Sequence, residues 1–347
     1  MIFYLALYFV PLILAINQKY LKKEFNNNLF IFFLLVLFFL IAFRNQVGGD
    51  WRGYVIISQQ YRSFDLFDFD FKRNNIGIFL INKFFSYLSL DHYGINIFSS
   101  ALFISSIYIF LRKEKYLWLS ICILLPVIVI VLIMGFVKQG IAFSFLLIAI
   151  NYWKQNKMLH YLFFILVGVL FHKSLLPFAL LFLVPPNGMP KINLFNIIAV
   201  IFMITVFLYF DIYEKLLYYT INSGEVNFDS RGATLRLLIN LIPAFIFIFF
   251  YKFFLYFNYF RLILIFSIVS IILIFFVTDY STLVDRFIMY LSVLQLLVFT
   301  KVPEIMKDNR LNTFIYFLIL MFYLIILLVW LIYSNNSIFW MPYNIII

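Results

Sequence analysis

Long apolar runs separated by short polar breaks make up most of the chain. Runs such as 117–136 and 259–277 are apolar around the whole circumference of a helix and lack the alternation typical of membrane-barrel strands. A helix that is apolar on every face is predicted to be buried or to span a membrane. The breaks define twelve candidate spans: 1–16, 27–43, 93–111, 117–134, 139–153, 158–171, 174–186, 193–213, 235–256, 260–278, 283–300 and 312–333.

The composition agrees with a membrane protein. Hydrophobic residues make up 65% of the chain, charged residues 12%, and the mean hydropathy is +1.04, which excludes a soluble globular domain. Each span needs about 20 apolar residues to cross about 30 Å of hydrocarbon, so the chain has room for about ten to twelve spans. The first run, Ile2 to Ile16, has no preceding basic residue and no cleavage pattern, so we expect a span there and not a removed signal peptide. The predicted fold is an all-α, polytopic transmembrane helical bundle that forms a single domain over 1–347.

Basic residues set the predicted orientation. The net charge of +11 comes from Lys and Arg scattered in ones to threes between apolar runs, which does not build a nucleic-acid-binding face. The loops after the odd-numbered spans, counted together with the adjoining span ends, hold 14 of the 26 basic residues and a net charge of +10, against +1 on the other side. Because basic loops stay in the cytoplasm, both termini are predicted to lie outside. Two long polar loops, 44–92 and 211–236, are also predicted to lie outside. Within the first loop, residues 76–90 are predicted to form an interfacial or re-entrant helix or a further span.

Seven charged or titratable residues lie at the predicted external face and are not explained by a role in setting the membrane orientation. Such groups at the edges of apolar helices are energetically costly and usually face the helix bundle. Their convergence on one leaflet indicates one site, and the alternative is that each is a solvated loop charge. These residues are Arg44, Asp50, Lys138, His172, Arg231, Asp285 and Arg286.

The first motif, RNQVGGDW at 44–51, directly follows a predicted span. Its two glycines permit positive φ and a close approach of the backbone to a ligand. Arg44 offers a planar fork suited to phosphate or carboxylate, and Asp50 could act as a base or orient that guanidinium. The alternative is a tight turn closed by an Arg–Asp pair.

A very short external hairpin, MGFVKQG at 134–140, places Lys138 and Gln139 at the N-terminus of the next helix. Backbone N–H groups and the positive end of the helix dipole attract anions there, and a diphosphate fits such a site. The alternative is a lysine whose amine reaches from a helix end to the membrane surface.

His172 lies in FHKS, 171–174, where one apolar run ends and another begins. A histidine at a membrane boundary can act as a general base, since the unperturbed imidazole titrates near about pH 6.5. The alternative is a hydrogen-bonded packing residue, which is the expectation for His92 and His160.

Two further motifs carry arginines at the predicted external face. Arg231 lies in SRGATLR at the end of the second long loop, and Arg286 and Tyr290 lie one turn apart on a later helix. An arginine so close to hydrocarbon needs a partner. For Arg286 that partner could be Asp285, another carboxylate or a ligand phosphate.

Metal chemistry has little support in the sequence. Asp68 and Asp70 match the Asp-x-Asp shape that can hold a hard cation, but their alternating acidic and aromatic surroundings fit an amphipathic surface segment equally well. The single cysteine, Cys122, builds neither a disulfide nor a thiolate metal site. Hydrolase, HExxH and phosphate-binding-loop motifs are missing from the sequence. We therefore predict no metal and no cofactor.

These pieces, in this multispan order, resemble the EpsG/Wzy group of bacterial polysaccharide (O-antigen) polymerases. The resemblance spans nearly the whole chain, with one departure: the group more often has Arg where this chain has Lys138, which keeps the charge but loses the bidentate fork. The matching pieces are Arg44 with Gly49-Asp50 and Tyr54, Lys138-Gln139 with Ile141-Ala142, His172-Lys173-Ser174, Arg286 with Tyr290, and Trp340-Met341-Pro342-Tyr343.

The resemblance implies a GT-C-like, metal-independent glycosyltransferase of the bacterial inner membrane. It would join undecaprenyl-diphosphate-linked oligosaccharide repeat units at the periplasmic face, as in lipopolysaccharide, capsule or exopolysaccharide synthesis. Implied partners are the lipid-linked oligosaccharide, membrane lipids, a chain-length regulator and a flippase, but no nucleic acid. The implied site consists of His172 or Asp50 as the base, Tyr54 and Tyr290 as substrate contacts, and Arg44, Lys138, Gln139, Arg231 and Arg286 on the diphosphates.

Other functions share this topology. An O-antigen ligase or a membrane acyltransferase would also carry cations at the outer face. A lipid-linked oligosaccharide flippase is also basic and multispan, but it needs charged groups on both sides of the membrane midplane. The unexplained charges here lie at one predicted face, which favours the polymerase.

We predict that a reporter active only in the cytoplasm gives no signal when it is fused after Ile347. The reason is the partition of net charge, +10 against +1, between the two sides of the membrane. Strong cytoplasmic reporter activity would overturn the predicted orientation.

Overall fold

The computed structural model describes residues 1–63, 75–187, 194–209, 230, 232–305 and 308–346. Most of these residues form helices. Among the described residues, Arg44 and Ile345 form an isolated antiparallel β-bridge. The α-helices are Ile2–Asn17, Lys23–Ala42, Trp51–Ser63, Ile76–Tyr87, Asp91–Leu111, Leu117–Leu124, Val137–Lys154, Met158–Val169, Leu194–Tyr209, Ala233–Phe249, Tyr251–Phe254, Phe260–Ile272, Ser281–Leu291, Val293–Phe299, Val302–Ile305 and Asn309–Tyr333. A π-helix, Leu125–Ile133, and the 3-10 helices Gln18–Tyr20, Lys173–Leu183, Leu273–Phe275 and Asn335–Trp340 complete the set.

The predicted all-α, polytopic membrane fold is confirmed. Among the described residues, four helices are long and apolar enough to cross a membrane: Ile2–Tyr20, Lys23–Ala42, Asp91–Leu111 and Arg310–Tyr333. The pair Ser281–Leu291 and Val293–Ile305, bent by 41°, could form a fifth span. Shorter apolar helices occupy most of the other predicted spans, so the count of about ten to twelve stays a prediction. They are Ile76–Tyr87, Leu117–Ile133, Met158–Val169, Lys173–Leu183, Ala233–Phe249 and Phe260–Phe275.

Irregular helical geometry explains why several predicted spans fall short as α-helices. Proline lacks an N–H and its ring crowds the preceding turn. Pro126 lies at the start of the π-helix Leu125–Ile133, and Pro177 lies inside the 3-10 helix Lys173–Leu183. A 3-10 helix rises about 2.0 Å per residue, so its 11 residues extend about 22 Å, further than an α-helix of equal length.

The described chain divides into two compact units. The first consists of Met1–Asp68, Gly77–Ser144 and Phe299–Ile347, and the second of Phe69–Ile76 and Phe145–Val298. Helix Lys23–Ala42 packs on Asp91–Leu111 in the first unit, and Ala233–Phe249 packs on Phe260–Ile272 and Ser281–Leu291 in the second. Part of the second unit's core is a cluster of apolar side chains from these helices and the segment between them: Ala233, Leu237, Leu241, Val277, Val284 and Ile288. The single transmembrane domain stays a prediction.

The first predicted loop, 44–92, contains two helices. Ile76–Tyr87 confirms the helix expected at 76–90, whereas Trp51–Ser63 was not anticipated. Its side chains Trp51, Tyr54 and Tyr61 are buried, and they recur at helical spacing. Of the second predicted loop, 211–236, only Ser230 and residues 232–236 lie within the described part of the chain.

Gly48 lies in the turn between the second span and Trp51–Ser63, where any other residue should destabilise the protein. Its φ is +112°, and an added Cβ would overlap the backbone oxygen of Met134. We predict that Gly48→Ala destabilises the protein by about 1–3 kcal/mol, the usual cost of such strain. Gly53→Ala is the matched control, because that helical glycine faces open space and alanine should stabilise it by about 0.5–1 kcal/mol. Thermal unfolding in detergent measures the stability of both variants. Equal melting temperatures of Gly48→Ala and Gly53→Ala would contradict the prediction.

Candidate functional site

The structure groups the predicted site residues into two clusters, one in each unit. The loop–hairpin cluster of the first unit contains Arg44, Asp50, Tyr54, Lys138 and Gln139. The histidine cluster of the second unit contains His172, Ser174 and Tyr290, and Arg286 lies on the same helix as Tyr290. Arg231, also predicted to bind a diphosphate, lies outside the described residues.

The Arg44 side chain forms hydrogen bonds within its own turn. Its side chain is only 1% exposed, and it donates from Nη1 to the Ile41 carbonyl at 2.5 Å and from Nε to the Val47 carbonyl at 3.2 Å. Its Cζ lies 5.9 Å from the centre of the Trp51 ring. Burial lowers the pKa of Arg44 to about 10, so the guanidinium stays protonated at neutral pH. Arg44 therefore places a fixed positive charge where the Lys23–Ala42 helix ends, which complements the helix dipole.

Tyr54 joins the first loop to the short hairpin. Its buried hydroxyl accepts the backbone N–H of Lys138 at 2.9 Å, and the Lys138 amine lies 5.7 Å from the centre of its ring. Burial, and secondly the charge of Asp50, raise the pKa of Tyr54 well above its ordinary value, so the phenol stays neutral. The backbone N–H of Asp50 donates to the Gly135 carbonyl at 3.4 Å. Tyr54 thus accepts a hydrogen bond from one of the N-terminal backbone N–H groups that were predicted to bind an anion.

Exposure separates the remaining members of the loop–hairpin cluster. Asp50 is exposed, Lys138 is half-buried and Gln139 is buried. Lys138 lies in the first turn of the Val137–Lys154 helix, where the helix dipole favours a negatively charged ligand. A lysine there adds its own positive charge to this end of the helix.

The C-terminal segment, residues 335–346, lines the first loop. Backbone hydrogen bonds of 2.9 Å run from Gly48 to Phe339, from Asn45 to Asn344 and from Ile346 to Phe43. The Tyr343 hydroxyl donates to the Leu40 carbonyl at 2.6 Å, and its ring stacks on Phe3 with centroids 3.7 Å apart. The loop that carries Arg44 and Asp50 is therefore held by the far end of the chain.

Trp340 fixes the same loop against the hairpin. Its indole lies 3.6 Å from the Cβ position of Gly49, and an added Cβ at Gly135 would overlap the ring. The indole N–H donates to the Ile130 carbonyl at 2.8 Å, and the Tyr4 hydroxyl donates to the carbonyl of Trp340 at 2.8 Å. Sequence reasoning noted Trp340 only as part of a motif; the glycines at 49 and 135 were a local sign that a large group packs there.

In the histidine cluster, two hydroxyls surround one imidazole nitrogen. Nδ1 of His172 lies 2.5 Å from Ser174 Oγ and 3.1 Å from the Tyr290 hydroxyl. Ser174 donates to the Tyr290 hydroxyl at 3.4 Å, which closes the triangle. His172 is half-buried, whereas Tyr290 has 0% exposure and its ring packs edge-on against Phe178. The imidazole of His172 is therefore held by hydrogen bonds to neighbouring side chains.

A buried polar network holds the helix that carries Tyr290. The carbonyl of Ile288 accepts from Asn240 Nδ2 at 3.1 Å and from Ser292 Oγ at 3.0 Å, and Gln295 Nε2 donates to the Asn240 side chain at 2.5 Å. A serine that bonds back to the carbonyl four residues earlier often bends a helix. The 41° bend occurs at Ser292, between the helices Ser281–Leu291 and Val293–Ile305. Tyr290 is thereby fixed immediately before the bend.

The structure pairs Asp285 with Arg236. Arg236 donates from Nε to Oδ1 at 2.6 Å and from Nη2 to Oδ2 at 2.8 Å, and Ser230 Oγ donates to Oδ2 at 2.8 Å. A bidentate, charge-assisted pair of this kind is among the stronger polar contacts in proteins. Asp285, one of the partners considered for Arg286, therefore has Arg236 as a partner. Arg236 was not singled out from the sequence, although it closes the SRGATLR motif.

The sequence model of the EpsG family matches residues 27–345, a range that contains both clusters. The chain belongs to the EpsG family. No curated protein matches the chain, and no solved structure does either. Membership of the EpsG family supports a glycosyltransferase-like, polysaccharide-polymerase role in a membrane. The resemblance drawn from the sequence motifs is thereby confirmed at the level of the family.

The predicted absence of a metal in this EpsG-family chain can be compared with the described residues. Within them, no group of three or more His, Cys, Asp or Glu side chains could hold a metal ion. Asp68 and Asp70 lie outside the described part of the chain, so the absence of a metal stays a prediction.

The Arg236–Asp285 pair should stabilise the second unit. Both side chains are largely buried, at 16% and 14% exposure. We predict that Arg236→Ala and Asp285→Ala each cost about 1–3 kcal/mol, because each change strands a partly buried charge. The double variant should show a coupling of about 0.5–3 kcal/mol. Thermal unfolding in detergent measures the cycle, with the exposed Arg310→Ala as the control, and strictly additive losses would contradict the pairing.

Proposed function

We propose that this EpsG-family chain joins undecaprenyl-diphosphate-linked oligosaccharide repeat units at the periplasmic face of the bacterial inner membrane. The observation that carries the proposal is the family match over residues 27–345. The cations and the half-buried histidine described above supply the chemical groups that such a reaction needs. The product would be O-antigen, capsule or exopolysaccharide.

The diphosphates account for the cations in the proposal. A diphosphate leaving group gains negative charge as its bond to the sugar breaks, and fixed positive groups stabilise that charge. We assign Lys138 and Gln139, at a helix N-terminus, to one diphosphate, and Arg286 to diphosphate contact in the second unit. Arg44 contributes its buried positive charge to the loop–hairpin cluster of the first unit, while its hydrogen bonds hold the loop. Arg231 is assigned a diphosphate contact from the family resemblance alone.

The acceptor hydroxyl requires a base, and we assign that role to His172. His172 takes the hydroxyl proton as the acceptor oxygen attacks the anomeric carbon of the donor sugar. The bond from that carbon to the diphosphate oxygen breaks, and the diphosphate leaves with the electron pair. Because the donor is already activated, the reaction needs neither a nucleotide nor, in this proposal, a metal. The exposed carboxylate of Asp50 is the second candidate for the base.

His172→Gln tests the proposal. Glutamine keeps a polar side chain of similar reach but cannot take up a proton near neutral pH, so turnover should fall by about 10²–10⁴-fold, the usual contribution of a positioned base. In cells the variant should lose the polysaccharide ladder while single repeat units still reach the surface. The assay uses purified protein in nanodiscs with lipid-linked repeat units, normalised to monodisperse protein.

His160→Gln is the matched control for this experiment. His160 is exposed and stacks on Tyr152, with ring centroids 5.1 Å apart, and it belongs to neither cluster. Its substitution should leave turnover unchanged. A His172→Gln rate within about threefold of wild type would remove His172 from the mechanism and transfer the role to Asp50.

A further inference from the structure

We propose that Trp340 is a positioning residue whose indole sets the spacing between the first loop and the short hairpin, and thereby the place at which Lys138 meets a diphosphate. This inference rests on the proposed function, in which Lys138 contacts a diphosphate. It gives the C-terminal segment, which is far from the hairpin in sequence, a part in substrate binding. All the residues concerned belong to the first unit.

The Trp340 ring packs against two glycines, one in the first loop and one in the hairpin. Its Cη2 lies 3.6 Å from the Cβ position of Gly49, and a Cβ at Gly135 would overlap Cζ2. Gly49 directly precedes Asp50, and Gly135 lies three residues before Lys138. The ring is enclosed by protein, since Trp340 is only 2% exposed. We call these two glycines the indole seat.

The backbones of the loop and the hairpin meet beside the indole seat. A Cβ at Gly48 would overlap the carbonyl oxygen of Met134, and the Asp50 N–H donates to the Gly135 carbonyl at 3.4 Å. Protein interiors are close-packed and barely compressible. A change in the size of the ring therefore has to move one segment relative to the other.

Three contacts hold the indole in its seat. The indole N–H donates to the Ile130 carbonyl at 2.8 Å, and the Tyr4 hydroxyl donates to the Trp340 carbonyl at 2.8 Å. Trp330 packs edge-on against the ring, with centroids 5.2 Å apart. The ring is therefore a fixed spacer between the two segments.

Tyr54 connects this spacing to Lys138. It lies on the helix that follows the first loop, and its hydroxyl accepts the backbone N–H of Lys138 at 2.9 Å. A shift of the hairpin relative to the loop would disturb this hydrogen bond and move the first turn of the helix that carries Lys138. A misplacement of about 1 Å in a binding site can cost up to about a hundredfold. Trp340 therefore acts on the diphosphate through the position of Lys138.

The test exchanges volume between the ring and its seat. Trp340→Phe removes the distal indole atoms, which are the ones nearest the two glycines, and Gly135→Ala adds a methyl group where those atoms lie. Each single variant should bind undecaprenyl diphosphate about tenfold more weakly than the wild type. The double variant Gly135→Ala/Trp340→Phe should return to within about threefold of wild type, because the methyl group occupies space that the smaller ring leaves.

Binding is measured on the full-length protein in phosphatidylcholine nanodiscs and normalised to monodisperse protein. Undecaprenol, which has the same tail without the diphosphate, is measured in parallel and should bind all variants equally. Lys138→Ala is the reference for a lost diphosphate contact and should lose at least as much affinity as either single variant. A parallel loss of undecaprenol affinity would place the effect at the tail and overturn the inference.

Trp118→Phe is the matched control for Trp340→Phe. Trp118 is also buried in the first unit, with 0% exposure, and its indole N–H donates to Asn26 at 2.6 Å. Asn26 lies near the start of the Lys23–Ala42 helix, about 25 Å along that helix from the first loop. The control should lower the melting temperature and leave diphosphate affinity unchanged. An equal loss of affinity in both tryptophan variants would overturn the specific role of Trp340.

The remaining outcomes separate this inference from the function on which it rests. Wild-type affinity in either Trp340→Phe or Gly135→Ala, with Lys138→Ala impaired, would overturn the positioning role and leave the diphosphate contact. A double variant weaker than both single variants would overturn the role of ring size. Wild-type affinity in Lys138→Ala would overturn the diphosphate contact and this inference together. If Trp340→Phe or Gly135→Ala does not fold, Tyr4→Phe decides, because it removes the hydrogen bond to the Trp340 carbonyl: weaker diphosphate binding supports the inference, and wild-type affinity overturns it.

Discussion

Backbone carbonyls at the ends of apolar helices need hydrogen-bond donors from within the protein, because hydrocarbon supplies none. In the first unit, some of these donors are side chains of residues distant in sequence, and others belong to the same turn as the carbonyl. Arg44 bonds the carbonyl of Ile41 and, in the loop that follows, that of Val47; Tyr343 bonds that of Leu40, and Trp340 bonds that of Ile130. These are also the contacts that hold the loop and the hairpin in place. The geometry of Asp50 and Lys138 therefore depends on how the helix ends are capped.

The same constraint organises the second unit. The bend at Ser292 interrupts a helix, and the Ile288 carbonyl near it is bonded by both Ser292 and Asn240. This network lies one half-turn from Tyr290, so the hydroxyl that touches His172 is fixed by polar groups in an otherwise apolar core. Breaking any member of a buried network of this kind strands another polar group, which holds the network in one arrangement. Rigidity there is what a precisely oriented imidazole requires.

The apolar pattern predicted most of the helices because it reports which stretches avoid water. The predicted spans 27–43, 93–111 and 312–333 agree closely with Lys23–Ala42, Asp91–Leu111 and Asn309–Tyr333. Hydropathy does not report the hydrogen-bond register, so the π-helix at Leu125–Ile133 and the 3-10 helix at Lys173–Leu183 were not predicted. Contacts between distant residues leave no local period either. Arg236 and Asp285 lie 49 residues apart, and Trp340 and Ile130 lie 210 apart.

Each short motif mixes residues that build the fold with residues that the proposed chemistry needs. In RNQVGGDW, Arg44 and Gly48 shape the turn, while Asp50 is exposed at its end. On the helix Ser281–Leu291, Asp285 is paired with Arg236 and Tyr290 contacts His172, while Arg286 is the residue to which the proposal assigns a diphosphate contact. Loss of activity on substitution is therefore weak evidence of a chemical role anywhere in these motifs. A drop in kcat at unchanged melting temperature identifies the chemical residues, because a residue that only shapes the fold changes stability first.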